Sequence, residues 1–208
     1  MSAHPGWPVE LRAGPVLLRP PRRRDAGEWS AARNRNREWL QPWEPTSASS
    51  WRARSSKASW GSLVATLRAN ARAGTAIPLV IVYGGRLVGQ VNASNIFRGV
   101  LRSASVGYWI DSAAAGRGIM PTSVALMIDH LLGPVGLHRV EINIRPENTN
   151  SLRVVEKLGL RQEGYHARFL DIDGGWRDHL TFAITIEETA DGSVLSRLAS
   201  LPKPPDTT

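Results

Sequence analysis

The spacing of apolar residues changes character several times along the chain, and each change marks an element. Val16-Leu17-Leu18-Arg19 reads as a short strand closed by Pro20 and Pro21, since proline cannot donate to a sheet ladder. Asp25 is placed to cap a helix that runs to about Asn36, because a side-chain oxygen there can accept from the unpaired N–H groups of a first turn. Leu40-Gln41-Pro42-Trp43-Glu44-Pro45 reads as a loop that ends in a Ser-rich run through Ser50. A long helix is predicted over Trp51 to Ala73, with Trp60, Leu63, Val64 and Leu67 at helical spacing.

After Gly74 the period drops to two. Ile77 to Tyr83 and Arg86 to Asn95 flank Gly84-Gly85, a two-residue hairpin signal. Arg102 to Ile110 is a third strand of this group, and an amphipathic helix is predicted from about Pro121 to Leu132. His138 to Ile144 reads as a strand and Asn150 to Leu158 as a helix stopped by Gly159, a residue suited to a left-handed C-terminal cap. Arg161 to Leu170 and Trp176 to Ile184 are joined by an Asp173-Gly174-Gly175 turn. The expectation is one α+β domain over residues 14–188, with a mixed, mostly antiparallel sheet of about seven strands. Residues 1–13 are expected to be flexible and residues 189–208, ending in a Pro-rich segment, to be a disordered tail.

Composition narrows the function classes. At 208 residues, 42% hydrophobic and 21% charged, the chain is an ordinary globular sequence. No apolar run approaches the roughly 20 residues of a membrane helix, and residues 1–8 carry no secretory apolar stretch. A soluble, cytoplasmic protein without a membrane partner is the default expectation. With no cysteine there is no disulfide framework, thiolate metal site or cysteine nucleophile, and no metal is expected. The net charge of +8, with arginine clusters at Arg22-Arg23-Arg24 and Arg33, Arg35, Arg37, favours polyanionic neighbours such as RNA, a ribosome or a phosphorylated cofactor.

One segment carries candidate chemistry. Tyr108-Trp109-Ile110 ends a strand, and Gly116-Arg117-Gly118-Ile119-Met120-Pro121 leads into a helix. A helix start presents N–H groups without internal partners and partial positive charge, and glycines let a phosphate approach the backbone. Arg117 adds a cation. As an isolated pattern this is equally a structural turn.

Four stretches together resemble the GNAT superfamily of N-acetyltransferases, and within it the RimJ/RimL-like ribosomal-protein N-acetyltransferases. They are Leu17-Leu18-Arg19-Pro20 with Asp25, the Leu40-Gln41-Pro42-Trp43 loop, Gly107-Tyr108-Trp109-Ile110 with Gly116-Arg117-Gly118-Ile119, and a late block. The late block reads Arg145-Pro146-Glu147-Asn148-Thr149-Asn150-Ser151, then Glu156-Lys157-Leu158-Gly159-Leu160 and Glu163-Gly164. The phosphate loop departs from the family pattern at its outer positions, which hold Ala115 and Met120.

The resemblance implies a GNAT fold with a splayed central strand pair and acetyl-CoA as cosubstrate. It implies that Tyr108, Trp109, Ile110, Gly116, Arg117, Gly118, Ile119, Met120, Asn148 and Ser151 hold the cofactor. Backbone N–H groups near Tyr108 to Ile110 would stabilise the thioester carbonyl. Ser151 would sit beside the sulfur as donor or general acid, with a plain helix-capping role as its alternative. The family's base position falls at Leu170, and Asp171, Asp173, Glu38, Glu44 and Glu141 are candidates that spacing does not separate. An α-amine has a pKa near ~7.7–8 and a lysine amine near ~10.4, so a missing strong base favours a protein N-terminus as acceptor. The Trp39 to Trp43 loop and Gly164 to Asp173 flank the expected acceptor entrance. Their aromatics either wall a slot for a small N-terminal residue such as Ala or Ser, or pack the first helix on the sheet. The expected activity is acetylation of such an N-terminus, on a ribosomal protein with ribosome or RNA nearby. A small-molecule amine acceptor, or a ribosome-associated binding module on a degenerate GNAT scaffold, are the alternatives.

Overall fold

Strands β1 (Leu11–Ala13), β2 (Val16–Arg19), β3 (Ile77–Tyr83), β4 (Arg86–Phe97), β5 (Ser103–Ile110), β6 (Arg139–Ile144), β7 (Arg161–Ile172) and β8 (Gly175–Thr185) form one sheet. Their order is β1-β2-β3-β4-β5-β6-β8-β7, in a computed structural model that describes residues 6–200. Residues 1–5 and 201–208, parts of the expected flexible lead-in and tail, lie outside the described residues. The β3–β4 and β7–β8 hairpins turn at Gly84-Gly85 (φ 56° and 78°) and Asp173-Gly174 (φ 46° and 79°). Two successive positive φ angles give the turn whose twist matches the strands. Antiparallel pairing holds throughout the sheet except at β5–β6, which is parallel. A parallel pair needs a long crossover, and helix α5 (Ile119–Leu132) supplies it.

Helices α1 (Ala26–Arg35), α2 (Arg37–Leu40), α3 (Trp51–Arg54) and α4 (Lys57–Ala73) precede the β3–β4 hairpin, and α6 (Thr149–Lys157) and α7 (Val194–Ser200) follow α5. The sheet therefore has two covered faces. On one, α1 and α4 pack through Trp29, Trp60, Val64, Val80 and Leu87, with the Trp29 and Trp60 rings 4.7 Å apart. On the other, α5, α6 and α7 pack over Val91, Val106 and Ile110 through Val124, Ile128, Val155 and Val194. Helix α5 is buried nearly all round, as expected for a helix with sheet on one side and other helices on the other.

Several expectations change. The sheet has an eighth strand, β1, inside the stretch expected to be flexible. Val9, Leu11 and Ala13 alternate and pack on the core, and the Gly6 carbonyl meets the His130 ring at 2.9 Å. The tail expected to be disordered carries α7, whose first N–H groups, on Val194 and Leu195, are held by the Asp129 carboxylate. Asp25 does not cap α1. Its oxygens are taken at 2.8 Å by the Arg19 fork and the Arg22 N–H, which ties the end of β2 to the entry of the helical layer. The single helix expected from Trp51 to Ala73 is broken at Ser55-Ser56, because Ser56 caps a new helix by accepting from the Ser59 N–H. The predicted loop at residues 40–45 is instead the end of α2 followed by a 3-10 turn over Gln41–Trp43. Helix α5 begins at Ile119, so Pro121 is its third residue and not its first. Proline is tolerated there because the N–H it lacks would be unpaired anyway. Among the described residues no helix is long and apolar enough to cross a membrane.

Candidate active site

The sheet opens where β5 and β6 part. They pair only at Ser103 to Ser105 with Arg139 to Glu141, whereas β5 runs on to Ile110 and β6 to Ile144. A cavity of about 750 Å³ occupies this opening and is lined from both faces of the sheet. Side chains alternate along a strand, so Tyr108 and Ile110 face the α5 layer while Trp109, with Gln90 and Asn92 opposite on β4, faces the α1–α4 layer. The cavity thus has a half on each face, joined at the splay.

The α5 half is made of main chain. Gly116 and Gly118 have φ of 77° and 74°, a left-handed conformation that a side chain would strain. Among the described residues, the N–H groups of Gly116, Arg117, Gly118, Ile119 and Met120 take no hydrogen-bond acceptor. A Cβ at Gly116 or Gly118 would meet nothing within 4 Å, so the turn is open at these two positions. Met120 is 6% exposed and its side chain packs in the core, so most of the bulk that departs from the family pattern is taken up there. Arg153 and Lys157 line the same half. The sequence reading missed them, although their four-residue spacing puts both on one face of α6. This cradle of free donors and nearby cations fits a pyrophosphate.

Of the residues expected to hold the cofactor, Tyr108, Trp109, Ile110, Gly116, Gly118, Ile119, Met120, Asn148 and Ser151 all line the cavity. The exposed Arg117 side chain does not. Asn148 is the cap of α6, accepting from the Ser151 N–H at 3.1 Å. The capping role left open for Ser151 therefore belongs to Asn148, and Ser151 stands one turn into the helix. The Tyr108 hydroxyl donates to the Ser151 carbonyl at 3.4 Å. Burial pushes this phenol well above its ordinary range, and a hydrogen bond with Ser151 offsets that only in part, so Tyr108 stays protonated at any working pH.

The opposite half is made of side chains from distant segments. Trp39 donates from Nε1 to the Ile110 carbonyl at 3.0 Å, and Gln90 Oε1 accepts from both Trp29 and Trp109 at 2.9 Å. Trp43, 36% exposed, lies under the Arg145 guanidinium at 5.2 Å and lines the cavity. Asn92 Oδ1 is buried without a hydrogen-bond partner and also lines the cavity. The α1–α2 joint is fastened to the end of β5 by Asp111, which accepts from Arg35 and from Asn36 Nδ2. Burial raises the Asp111 carboxyl, but these bonds outweigh it and hold the group below the usual carboxylate range.

The candidate bases now separate. Glu44 is the one carboxylate among the described lining residues. Asp171 accepts from the Thr46 hydroxyl at 2.6 Å, Asp173 from Gln41, and Glu141 from Arg139. Leu170 is 39% exposed and outside the cavity. Glu44 itself is held by the Arg33 fork at 2.5 and 2.7 Å. The Arg33 guanidinium is buried against the rings of Trp29, Trp51 and Trp109.

A family model described as an acetyltransferase (GNAT) domain matches residues 16–161. The chain is similar to the structure of Mycobacterium smegmatis RimJ in complex with CoA-disulfide, with 46% identity and a TM-score of 0.90, covering 95% of this chain and 96% of that one. It is 28% identical to the [ribosomal protein uS5]-alanine N-acetyltransferase of Escherichia coli (strain K12), over 88% of this chain and 94% of that protein. A ribosomal-protein-S5-alanine acetyltransferase structure from Vibrio fischeri is also 28% identical, with a TM-score of 0.78, covering 86% of this chain and 98% of that one.

Proposed function

Because the chain belongs to the acetyltransferase (GNAT) family and is an acetyl-CoA-dependent N-acetyltransferase, we propose that its acceptor is the N-terminal α-amine of a protein beginning with a small residue, foremost the alanine of a ribosomal protein. The observation that carries this reading is the state of the single carboxylate in the cavity. Glu44 is already bound by Arg33, so no unengaged carboxylate base lines the cavity among the described residues. An α-amine, with a pKa near ~7.7–8, is substantially neutral without help, whereas a lysine amine near ~10.4 is not. The names of the relatives point the same way, toward ribosomal-protein alanine. The net charge of +8 would favour approach to a polyanionic ribosome, and a cytoplasmic location goes with this reading.

Acetyl-CoA supplies an acetyl thioester. In this reading the N–H groups of Gly116 to Met120 hold its pyrophosphate from one face, with Arg153 and Lys157 adding positive charge. The β5 edge opened by the splay takes the pantetheine as an added strand, and main-chain N–H groups near Tyr108 to Ile110 face the developing negative charge on the carbonyl oxygen. The acceptor enters from the Trp39–Trp43 face and meets the thioester at the gap. Ser151 and the protonated Tyr108 stand on the leaving-group side, where the departing thiolate, whose thiol has a pKa near ~8.5, needs a hydrogen bond or a proton.

Mass spectrometry of ribosomal-protein N-termini, from cells with and without this protein, tests the acceptor. A terminal alanine acetylated only when the protein is present is the expected result. Acetylation of free small amines in vitro, with no Ala- or Ser-starting peptide modified, would overturn it.

A further inference from the structure

We propose that Glu44 is the hydrogen-bond anchor for the acceptor's amine, holding its nitrogen at the mouth of the splay. This rests on the reading of the acceptor as a protein N-terminus and deepens it. Glu44 has no freedom to wander. Its own carbonyl accepts the Asp173 N–H at 3.1 Å, and the next residues bridge to the β7–β8 hairpin through Thr46 N–H to the Asp171 carbonyl at 3.0 Å. The Arg33 fork fixes its carboxylate, and the Arg54 guanidinium lies 3.4 Å from Oε2.

A carboxylate has roughly four acceptor positions. Arg33 takes one on each oxygen and Arg54 stands beside Oε2, so Oε1 keeps an acceptor position, and the side chain is 20% exposed. That position is an acceptor in a cavity half whose other walls include Trp39, Trp43 and Trp109, and an attacking amine is the donor that matches it. The two guanidinium groups around one carboxylate leave the cluster net positive. It therefore takes an N–H hydrogen bond from a neutral amine but does not favour a protonated one, and the neutral form is the one that can attack. The α-amine is so distinguished from lysine at the point of binding, with the departing proton left to water.

The test uses the full chain with saturating CoA, and titrates two peptides by calorimetry at about pH 8, near the pKa of an α-amine. One starts with alanine; the other carries propionyl in its place, identical except for the missing amine. The wild-type protein should bind the alanyl peptide roughly tenfold tighter, the worth of one hydrogen bond to a charged group. Glu44→Ala should bring the two within about twofold. A merely structural role would weaken both peptides and leave their ratio untouched. Should Glu44→Ala fail to fold because Arg33 is left unpaired, Arg33→Met/Glu44→Met removes both charges and must show the same loss. A ratio kept by the variants, or absent from the wild type, overturns the proposal. If acetyl-CoA and the wild-type protein do not acetylate the alanyl peptide at all, the reading of the acceptor fails and this inference with it; if the peptide is acetylated and the ratio survives in the variants, only the inference fails.

Discussion

The two halves of the cavity are built in different ways and, in the proposed reading, would recognise in different ways. In the proposed reading the α5 face binds chiefly through main-chain N–H donors between Gly116 and Met120, with positive charge from Arg153 and Lys157 beside them. On the α1–α4 face the groups are side chains of Trp39, Trp43, Glu44, Gln90 and Asn92, brought from segments far apart in sequence. A backbone cradle needs only a local conformation, so in this reading it should tolerate Ala115 and Met120 at its ends. A side-chain wall depends on long-range fastening, such as Arg35 to Asp111 and Thr46 to Asp171. The cofactor half should therefore be sensitive to backbone and charge, and the acceptor half to single side chains.

The sharpest way to break the cofactor half is at Gly118. Gly118→Glu adds an anion in front of the phosphate site and should weaken acetyl-CoA at least about a hundredfold, since like charges brought together cost several kcal/mol. Gly118→Asn keeps an uncharged residue that tolerates φ near 74° and should weaken it less than about tenfold. Equilibrium binding of acetyl-CoA reads both. Equal losses in the two variants would mean that backbone strain and not charge controls the site, and the cradle would lose its phosphate.

This contrast also explains what the sequence made legible. That Gly116, Gly118, Asn148 and Ser151 line one cavity was legible because the glycine turn and the helix cap are each made within a few residues. Most strand and helix positions followed for the same reason, their periodicity being local. The failures share the opposite cause. Asp25 looks like a cap until the Arg19 fork takes its oxygens, and α7 looks like a tail until Asp129, far earlier in the chain, caps it. Likewise nothing near Glu44 distinguishes it from Glu38; only the fold carries it to the cavity and Asp171, Asp173 and Glu141 to other partners. Three alternating apolar residues, at Val9, Leu11 and Ala13, were too few to be read as a strand without the β2 edge they pair with.

On the acceptor half, Trp39→Ala should raise the KM for an Ala-starting peptide about thirtyfold, typical of a buried aromatic anchor worth ~2 kcal/mol, while acetyl-CoA affinity moves by less than about threefold. Trp39→Phe, which keeps the ring but drops the Nε1 bond to Ile110, should cost only the hydrogen bond, about threefold to tenfold. If acetyl-CoA affinity falls in step with peptide KM, the halves are not separable and the comparison fails.

Between the halves lies Ser151. Ser151→Ala should lower kcat about tenfold, the loss of one hydrogen bond to a charged leaving group, with acetyl-CoA affinity unchanged. Because Asn148 already caps α6, the substitution should leave thermal stability within about 0.5 kcal/mol of wild type. A stability loss with kcat intact would return Ser151 to a structural role.

The smallest effect is expected away from both halves, where β6, β7 and the turn after β8 meet. Hydrogen bonds from Arg139 hold the Glu163 carboxyl down to about 2 against the opposing effect of burial, and Arg161 adds to the pull. Arg161 also pairs with Glu188, and Arg139 with Glu141. A carboxyl whose pKa is lowered on folding adds stability above its unfolded value, near ~4.3, and that contribution is lost as pH falls from about 5 toward 2. Solvent screening of so exposed a group limits it to about 1 kcal/mol. Glu163→Gln should therefore melt about 2–4 °C lower than wild type at neutral pH, and the two melting curves should converge as the pH is brought down through that window. A gap that stays constant with pH would mean that packing of the β7 strand, and not the Arg139–Glu163–Arg161 charges, accounts for the difference.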